Sequence, residues 1–151
     1  MNNVTLKKID QTNFAACFNL QLREEQAQFV SHPIRSLAQA YVYYNQCTPL
    51  GIYANAELVG YVMVIYDYEE ATYNMWHLMI DSRQQGKGYG KQALQCVMEY
   101  IATKPFGNSN IVLITCAPQN TIAAHLYNAY GFVPTGRRDE EEIELSFTIK
   151  N

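Results

Sequence analysis

The stretch from Met75 to Lys91, "MWHLMIDSRQQGKGYGK", constrains the fold more than any other part of the chain. An apolar run ends at Ile80, and Gly86, Gly88 and Gly90 then fall on alternate positions. Behind them Ala93, Leu94, Val97, Met98, Ile101 and Ala102 recur at helical spacing. Glycine in regular structure costs backbone entropy, so three of them between a strand and a helix mark a turn whose backbone must stay bare. The first N–H groups of the helix then lack intrahelical partners and sit at the positive end of its dipole. That is an anion site, suited to a pyrophosphate, with Lys87 and Lys91 adding charge. It is not a dinucleotide fingerprint, whose third glycine would come one place later. Nor is it a P-loop, which needs one more residue and a Ser or Thr where Gln92 stands.

The flanking sequence supplies the rest of a layered fold. "VTLKKI" (Val4–Ile9) alternates and reads as a first strand. Thr12 is expected to open a helix reaching about Leu22, and Pro33 to break the polar segment that follows. Ser36 and Gln39 have capping-box spacing, which predicts a second helix from there to about Tyr44, with Pro49 ending the region. "LGIYA" and "LVGYVMVIYDY" read as strands around a turn at Asn55–Glu57, and "YNMWHLMID" as a fourth, giving an antiparallel meander. Past Pro105 and Gly107, "IVLITC" (Ile111–Cys116) has the mark of a buried strand. A helix from about Thr121 to Tyr130 ends at Gly131. "EIELSFTI" closes the chain with Ile143, Leu145, Phe147 and Ile149 on one face. Strand, glycine turn, helix and strand in that order require a crossover and one parallel pairing within a mixed sheet. With no repeat and no linker, residues 1–151 read as one domain.

Composition narrows the function. The chain is 48% hydrophobic and 17% charged, as ordinary globular domains are. Its net charge of −3 argues against a nucleic-acid partner. No apolar stretch approaches ~20 residues, so no transmembrane helix and no membrane partner are expected. "MNNVTLKKIDQTN" has no apolar signal core, so the expected location is cytoplasmic. Cys17, Cys47, Cys96 and Cys116 form no CxxC pair and read as reduced, buried thiols. His32, His77 and His125 lack metal-ligand spacing, so no metal is expected.

Two motifs carry a resemblance. Gln85-Gly86-Lys87-Gly88-Tyr89-Gly90 fits Q/R-x-x-G-x-G/A, and downstream stand Asn120, then Tyr127 seven residues later, then Gly131-Phe132. In both, and in element order over almost the whole chain, the sequence resembles the GNAT family of N-acetyltransferases. "LGIYANAELVGYVM" and "LMIDSRQQGKGYG" are most similar to its bacterial spermine/spermidine (diamine) branch. The resemblance implies an α/β (α+β) fold: a mixed, mostly antiparallel sheet splayed after the fourth strand, with helices on both faces. It implies acetyl-CoA as co-substrate and transfer of the acetyl group to a primary amine of a small molecule, a polyamine first, by direct attack on the thioester. It is compatible with a homodimer.

It also implies roles for residues. Amides from Gln85 to Lys91, Tyr89 included, would hold the pyrophosphate. Leu78, Met79 and Ile80 would pair with the pantetheine arm, and an N–H near Leu78 would polarise the thioester carbonyl. Asn120 and Ala123 would add cofactor contacts, although Asn120 also reads as a helix cap. Tyr127 would protonate the departing thiolate, since a phenol of pKa ~10 is neutral at working pH. Glu24, Glu25, Trp76 and His77 would meet the acceptor. Polyamine members of the family often carry an acid on the fourth strand where this chain has Trp76. Glu24, Glu25, Asp67, Glu69 and Glu70 stand as bases, and His77 reads either as a base or as a satisfied strand residue. The acidic run Asp139–Glu144 would attract a polycation, or form a solvated hairpin beside Arg137 and Arg138. An acyl-CoA sensor without turnover, or an acetyltransferase for a protein N-terminus, an amino acid or an antibiotic, are the alternatives.

Overall fold

The computed structural model describes residues 3–150. In chain order it runs β1 (Val4–Lys8), a 3-10 helix (Phe14–Asn19), α1 (Glu24–Ala27) and α2 (Pro33–Val42). The strands β2 (Cys47–Ala54), β3 (Glu57–Asp67) and β4 (Thr72–Ile80) follow. Then come α3 (Tyr89–Ala102), β5 (Ile111–Cys116), α4 (Thr121–Tyr130), β6 (Val133–Asp139) and β7 (Glu142–Thr148). The seven strands form one sheet in the order β1-β2-β3-β4-β5-β7-β6. All neighbours are antiparallel except β4 and β5, which run parallel as the α3 crossover requires. That parallel pairing is confined to Tyr73 with Val112 and Asn74 with Leu113. Beyond Asn74 the two strands part, and the mixed sheet is splayed after the fourth strand.

β3 shows why both faces are covered. Val59, Val62, Val64 and Tyr66 point into a core closed by Leu94, Val97 and Ile101 of α3. Tyr61, Met63 and Ile65 point the other way, onto Cys17, Leu20 and Ala40. A strand buried on both sides reads as an unbroken apolar run, as "LVGYVMVIY" does. Each fully buried aliphatic side chain stabilises by about 1.5–3 kcal/mol relative to exposure. Of the four cysteines, Cys17, Cys47 and Cys116 are buried, and none of the four is in a disulfide.

Several expected boundaries differ, each for a local reason. No α-helix spans Thr12–Leu22. Asp10 accepts hydrogen bonds from the Thr12 N–H and hydroxyl, and Asn13 Oδ1 accepts from Asp10 N–H. Such side-chain bonds compete with helical ones, and only the short 3-10 turn forms. Pro33 does not break a segment but opens α2 at its first position, where its missing N–H is harmless. His32 caps that helix, its Nδ1 accepting from Ile34 N–H at 3.1 Å. The helix therefore starts three residues before Ser36, and Ser36 is buried in its first turn rather than capping it. Pro49 lies inside β2, its carbonyl accepting from Ile9 N–H where β1 runs out. β6, exposed along its length, was not expected as a strand.

Candidate active site

The site begins with an irregularity in β4. Met63 of β3 pairs with Trp76, but Tyr61 pairs with Met79, so Val62 alone faces both His77 and Leu78. This β-bulge puts His77 at φ +63°, in the left-handed region that a histidine rarely occupies. On the other side β5 has already left, so from Met75 onward β4 has no strand partner there among the described residues.

Two joined cavities fill the gap. The larger, about 970 Å³, runs along Leu78, Met79 and Ile80 to Gly86, Gly88 and Gly90. The smaller, about 310 Å³, lies under Phe29–Ser31 and between α2 and Trp76, His77 and Cys116. They meet at Val30, Leu78, Asn120, Ala123 and Tyr127. At the outer end, Gly86 and Gly88 have φ +81° and +83°, which explains glycine there. A Cβ on Gly86 would meet no protein atom within 4 Å, and one on Gly90 would come no closer than 3.9 Å. The bare backbone thus faces open groove. Gly88 caps α3 without a side chain, leaving the first-turn N–H groups to solvent or a ligand.

The structure sorts the loop residues. Gln85 Nε2 donates to Ile80 O and to Gln26 Oε1, both at 2.9 Å. Its side-chain nitrogen clamps the end of β4 to α1 and is spent there, while the residue still lines the larger cavity. Tyr89 and Lys91 line the larger cavity. Lys87 lines neither; its ammonium donates to Gln84 Oε1 at 2.8 Å.

At the junction Tyr127 is 8% exposed, with its ring edge-on to Phe132. Burial pushes its phenol pKa well up, with Cys116 beside it adding to the effect, so it is a neutral donor. Asn120 is the N-cap residue of α4, yet its side chain makes no capping bond, which leaves its amide at the junction. Ala123, at the first turn of α4, reaches both cavities without filling them.

His77 is held by a buried hydroxyl chain. Its Nδ1 lies 2.7 Å from Ser36 Oγ, and Tyr61 OH donates to the same oxygen at 2.8 Å. Burial, then the nearby Arg35 charge, push its pKa down to about 4, so it is neutral at pH 7. An imidazole whose conjugate acid is that strong cannot usefully take a proton from an alkylammonium of pKa ~10. This weighs against His77 as the base and for it as a polar wall. The carboxylates considered as bases lie elsewhere. Glu24 and Glu25 are exposed on α1 and line neither cavity, where Arg23 and Gln26 stand instead. Asp67, Glu69 and Glu70 sit at the β3–β4 turn; Asp67 accepts from Glu69 and Glu70 N–H, and Glu70 pairs with Arg137. The carboxylate lining the smaller cavity is Glu142, in the acidic run. Trp76 lines that cavity too, edge-on to Tyr43. Sequence reasoning missed Ser36, Gln39 and Tyr61. The spacing of Ser36 and Gln39 carried the signal, since residues three apart share a helix face, but it read as a cap.

A family model for the acetyltransferase (GNAT) family matches residues 14–132, and the chain belongs to that family. The chain is 28% identical to the spermine/spermidine N(1)-acetyltransferase of Bacillus subtilis (strain 168), over 91% of its own length and 92% of the relative's. Among solved structures, it is similar to the spermidine N-acetyltransferase of Vibrio cholerae in complex with CoA and spermine. There the TM-score is 0.79 and identity 19%, over 98% of this chain and 96% of that one. It is similar also to an acetyltransferase of Salmonella typhimurium that modifies the N-terminal serine of a 50S ribosomal subunit protein. That match has a TM-score of 0.78 and 16% identity, over 99% and 97% of the two chains.

Proposed function

We propose that this GNAT-family protein transfers the acetyl group of acetyl-CoA to a primary amine of a small molecule, with polyamines such as spermidine and spermine as the first acceptors. The observation that carries the reading is the pair of cavities meeting at Tyr127, one open to the glycine turn and the other closed by the bulged strand. CoA occupies the larger: pyrophosphate on the amides from Gln85 to Lys91, pantetheine along the unpaired edge at Leu78, Met79 and Ile80. The amine occupies the smaller. Its neutral nitrogen attacks the thioester carbonyl, whose oxygen is polarised by a bulge N–H. As the C–N bond forms the C–S bond breaks, and Tyr127 gives its proton to sulfur. The proton shed by the amine nitrogen returns to Tyr127 through water.

The nearly full-length similarity to polyamine acetyltransferases supports the acceptor class. One observation favours a second reading, an amine with a single positive charge. Among its described lining residues the smaller cavity has one carboxylate, Glu142, and the Arg35 charge already acts on His77. A panel of polyamines, monoamines, amino acids and lysine peptides is tested with acetyl-CoA, following release of free thiol. Polyamines with the highest kcat/KM support the first reading. Monoamines in front replace it with the second, and no thiol release above the blank overturns acetyl transfer to small amines.

A further inference from the structure

Ser36 and Gln39 stand three residues apart on α2, both toward β4. Ser36 is spent on His77 and Tyr61. Gln39 is not spent: it lines the smaller cavity, its Oε1 is buried, and no described residue donates to it. It is the one buried side-chain nitrogen or oxygen without a partner among the described residues. An amide oxygen buried and unpaired is destabilising, and native structures keep few of them. Its neighbours on the wall are Trp76, Met75 and the neutral His77, none of which offers a hydrogen there.

We propose that Gln39 is the acceptor-binding residue of the smaller cavity, its Oε1 receiving an N–H of the substrate amine; this rests on the function proposed above. The group suits a nucleophile. A carboxylate at this place would favour the ammonium form, whose lone pair is tied up. A neutral amide accepts an N–H from the free amine as readily, and Arg35 near His77 further disfavours a cation. Gln39 thus selects for a nitrogen that still carries a hydrogen once its lone pair is turned to the thioester, which a primary amine supplies and a tertiary amine does not.

The test uses the full chain, the best amine of the panel and two variants. Gln39→Leu keeps the size of the side chain and removes the acceptor. Its KM for the amine is expected to rise about fivefold, the worth of one neutral hydrogen bond. KM for acetyl-CoA should stay within twofold, and the melting temperature should hold or rise because an unpaired buried oxygen is gone. Gln39→Glu is expected to move the alkaline rise of kcat to higher pH, since it holds the bound amine as the ammonium and kcat reports ionisations within the complex. An amine KM within twofold of wild type in Gln39→Leu overturns the proposal, as does a pH profile in Gln39→Glu that does not move. A drop in melting temperature with equal weakening toward both substrates would make Gln39 a packing residue and overturn it too. If wild type releases no thiol with any amine, the function fails first. Gln39 is then judged by calorimetry with the same amines, where binding that is absent, or unchanged by Gln39→Leu, overturns it.

Discussion

Tyr127→Phe removes one oxygen from the place where the two cavities meet and leaves the ring against Phe132. A general acid contributes about 10²–10⁴-fold, so kcat is expected to fall at least ~30-fold. CoA affinity should hardly change, because the proton is needed only as the thiolate departs, and kcat and kcat/KM should fall together. A variant keeping more than half of wild-type kcat, with chemistry limiting, makes Tyr127 a packing residue. His77 yields a second expectation, on stability. Its pKa is about 4 folded against an ordinary 6.5, so between these values the unfolded chain binds a proton that the folded chain refuses. Stability from this residue is therefore full above pH 6.5, declines as pH falls toward 4, and levels off below. His77→Gln should flatten that part of the curve in urea titrations from pH 7.5 to 4; an unchanged slope removes His77 as its source. Asp81 acts in a separate window. Hydrogen bonds from the Arg83 side chain, then burial against them, set its shift, and its pKa is held below 3.8. The stability it contributes is lost only below that value, so the two residues can be told apart.

At the scale of elements, the glycine turn and the start of α3 act together. Gly88 has φ +83°, and a Cβ there would come no closer than 4.0 Å to another atom, Gln92 Nε2, so Gly88→Glu both strains the backbone and puts a carboxylate where a pyrophosphate would lie. CoA affinity by calorimetry is expected to fall at least tenfold; equal affinity in a folded variant removes the turn from the cofactor site. This turn was legible because its cause is local: three glycines, a strand before and a helix after. The meander β2–β4 and the helices α3 and α4 were legible for the same reason. What lay in the first half of the chain was not. Pro33 has one meaning before a helix and another inside it, and only the tertiary contact of His32 with Leu20 O fixes which applies. The Ser36–Gln39 spacing fits a cap and a buried face equally well. The β4 bulge has no sequence mark, since it arises from the register against Tyr61 and Met63. Glu24 and Glu25 were named for the acceptor on charge and resemblance; they are exposed and line neither cavity, and nothing in a sequence says which way a four-residue helix turns its acids.

At the scale of the molecule, β1 to β4 form one half of the sheet and β5 to β7 the other, stitched along the chain by α3 and in the sheet by two residue pairs. On the function proposed above, CoA in the larger cavity would touch both halves, since that cavity is lined by β4, α3, α4 and Phe147, and its binding should be visible beyond the glycine turn. With CoA at 100 times its Kd the protein gains about 2.7 kcal/mol of stability, and its melting temperature should rise accordingly. Amide hydrogen exchange should slow on the β4 segment from Leu78 to Ile80 and on the first turns of α3 and α4, and much less on β1 and β2. Protection confined to the glycine turn would mean that the cofactor does not enter the gap.

The two-pair seam between β4 and β5 also bears on how the protein fails. A book bound by two threads opens at the spine, and here the opened pages are the bare flanks of β4 and β5, both rich in apolar residues and both short of hydrogen-bond partners. With the larger cavity empty, the chain carries in its middle a length of β4 backbone without a strand partner on that side among the described residues, and unpaired strand backbone is a template for pairing. On the function proposed above, a CoA lying in that gap would also bridge the two halves of the sheet, a clasp across the seam as well as a donor of the acetyl group.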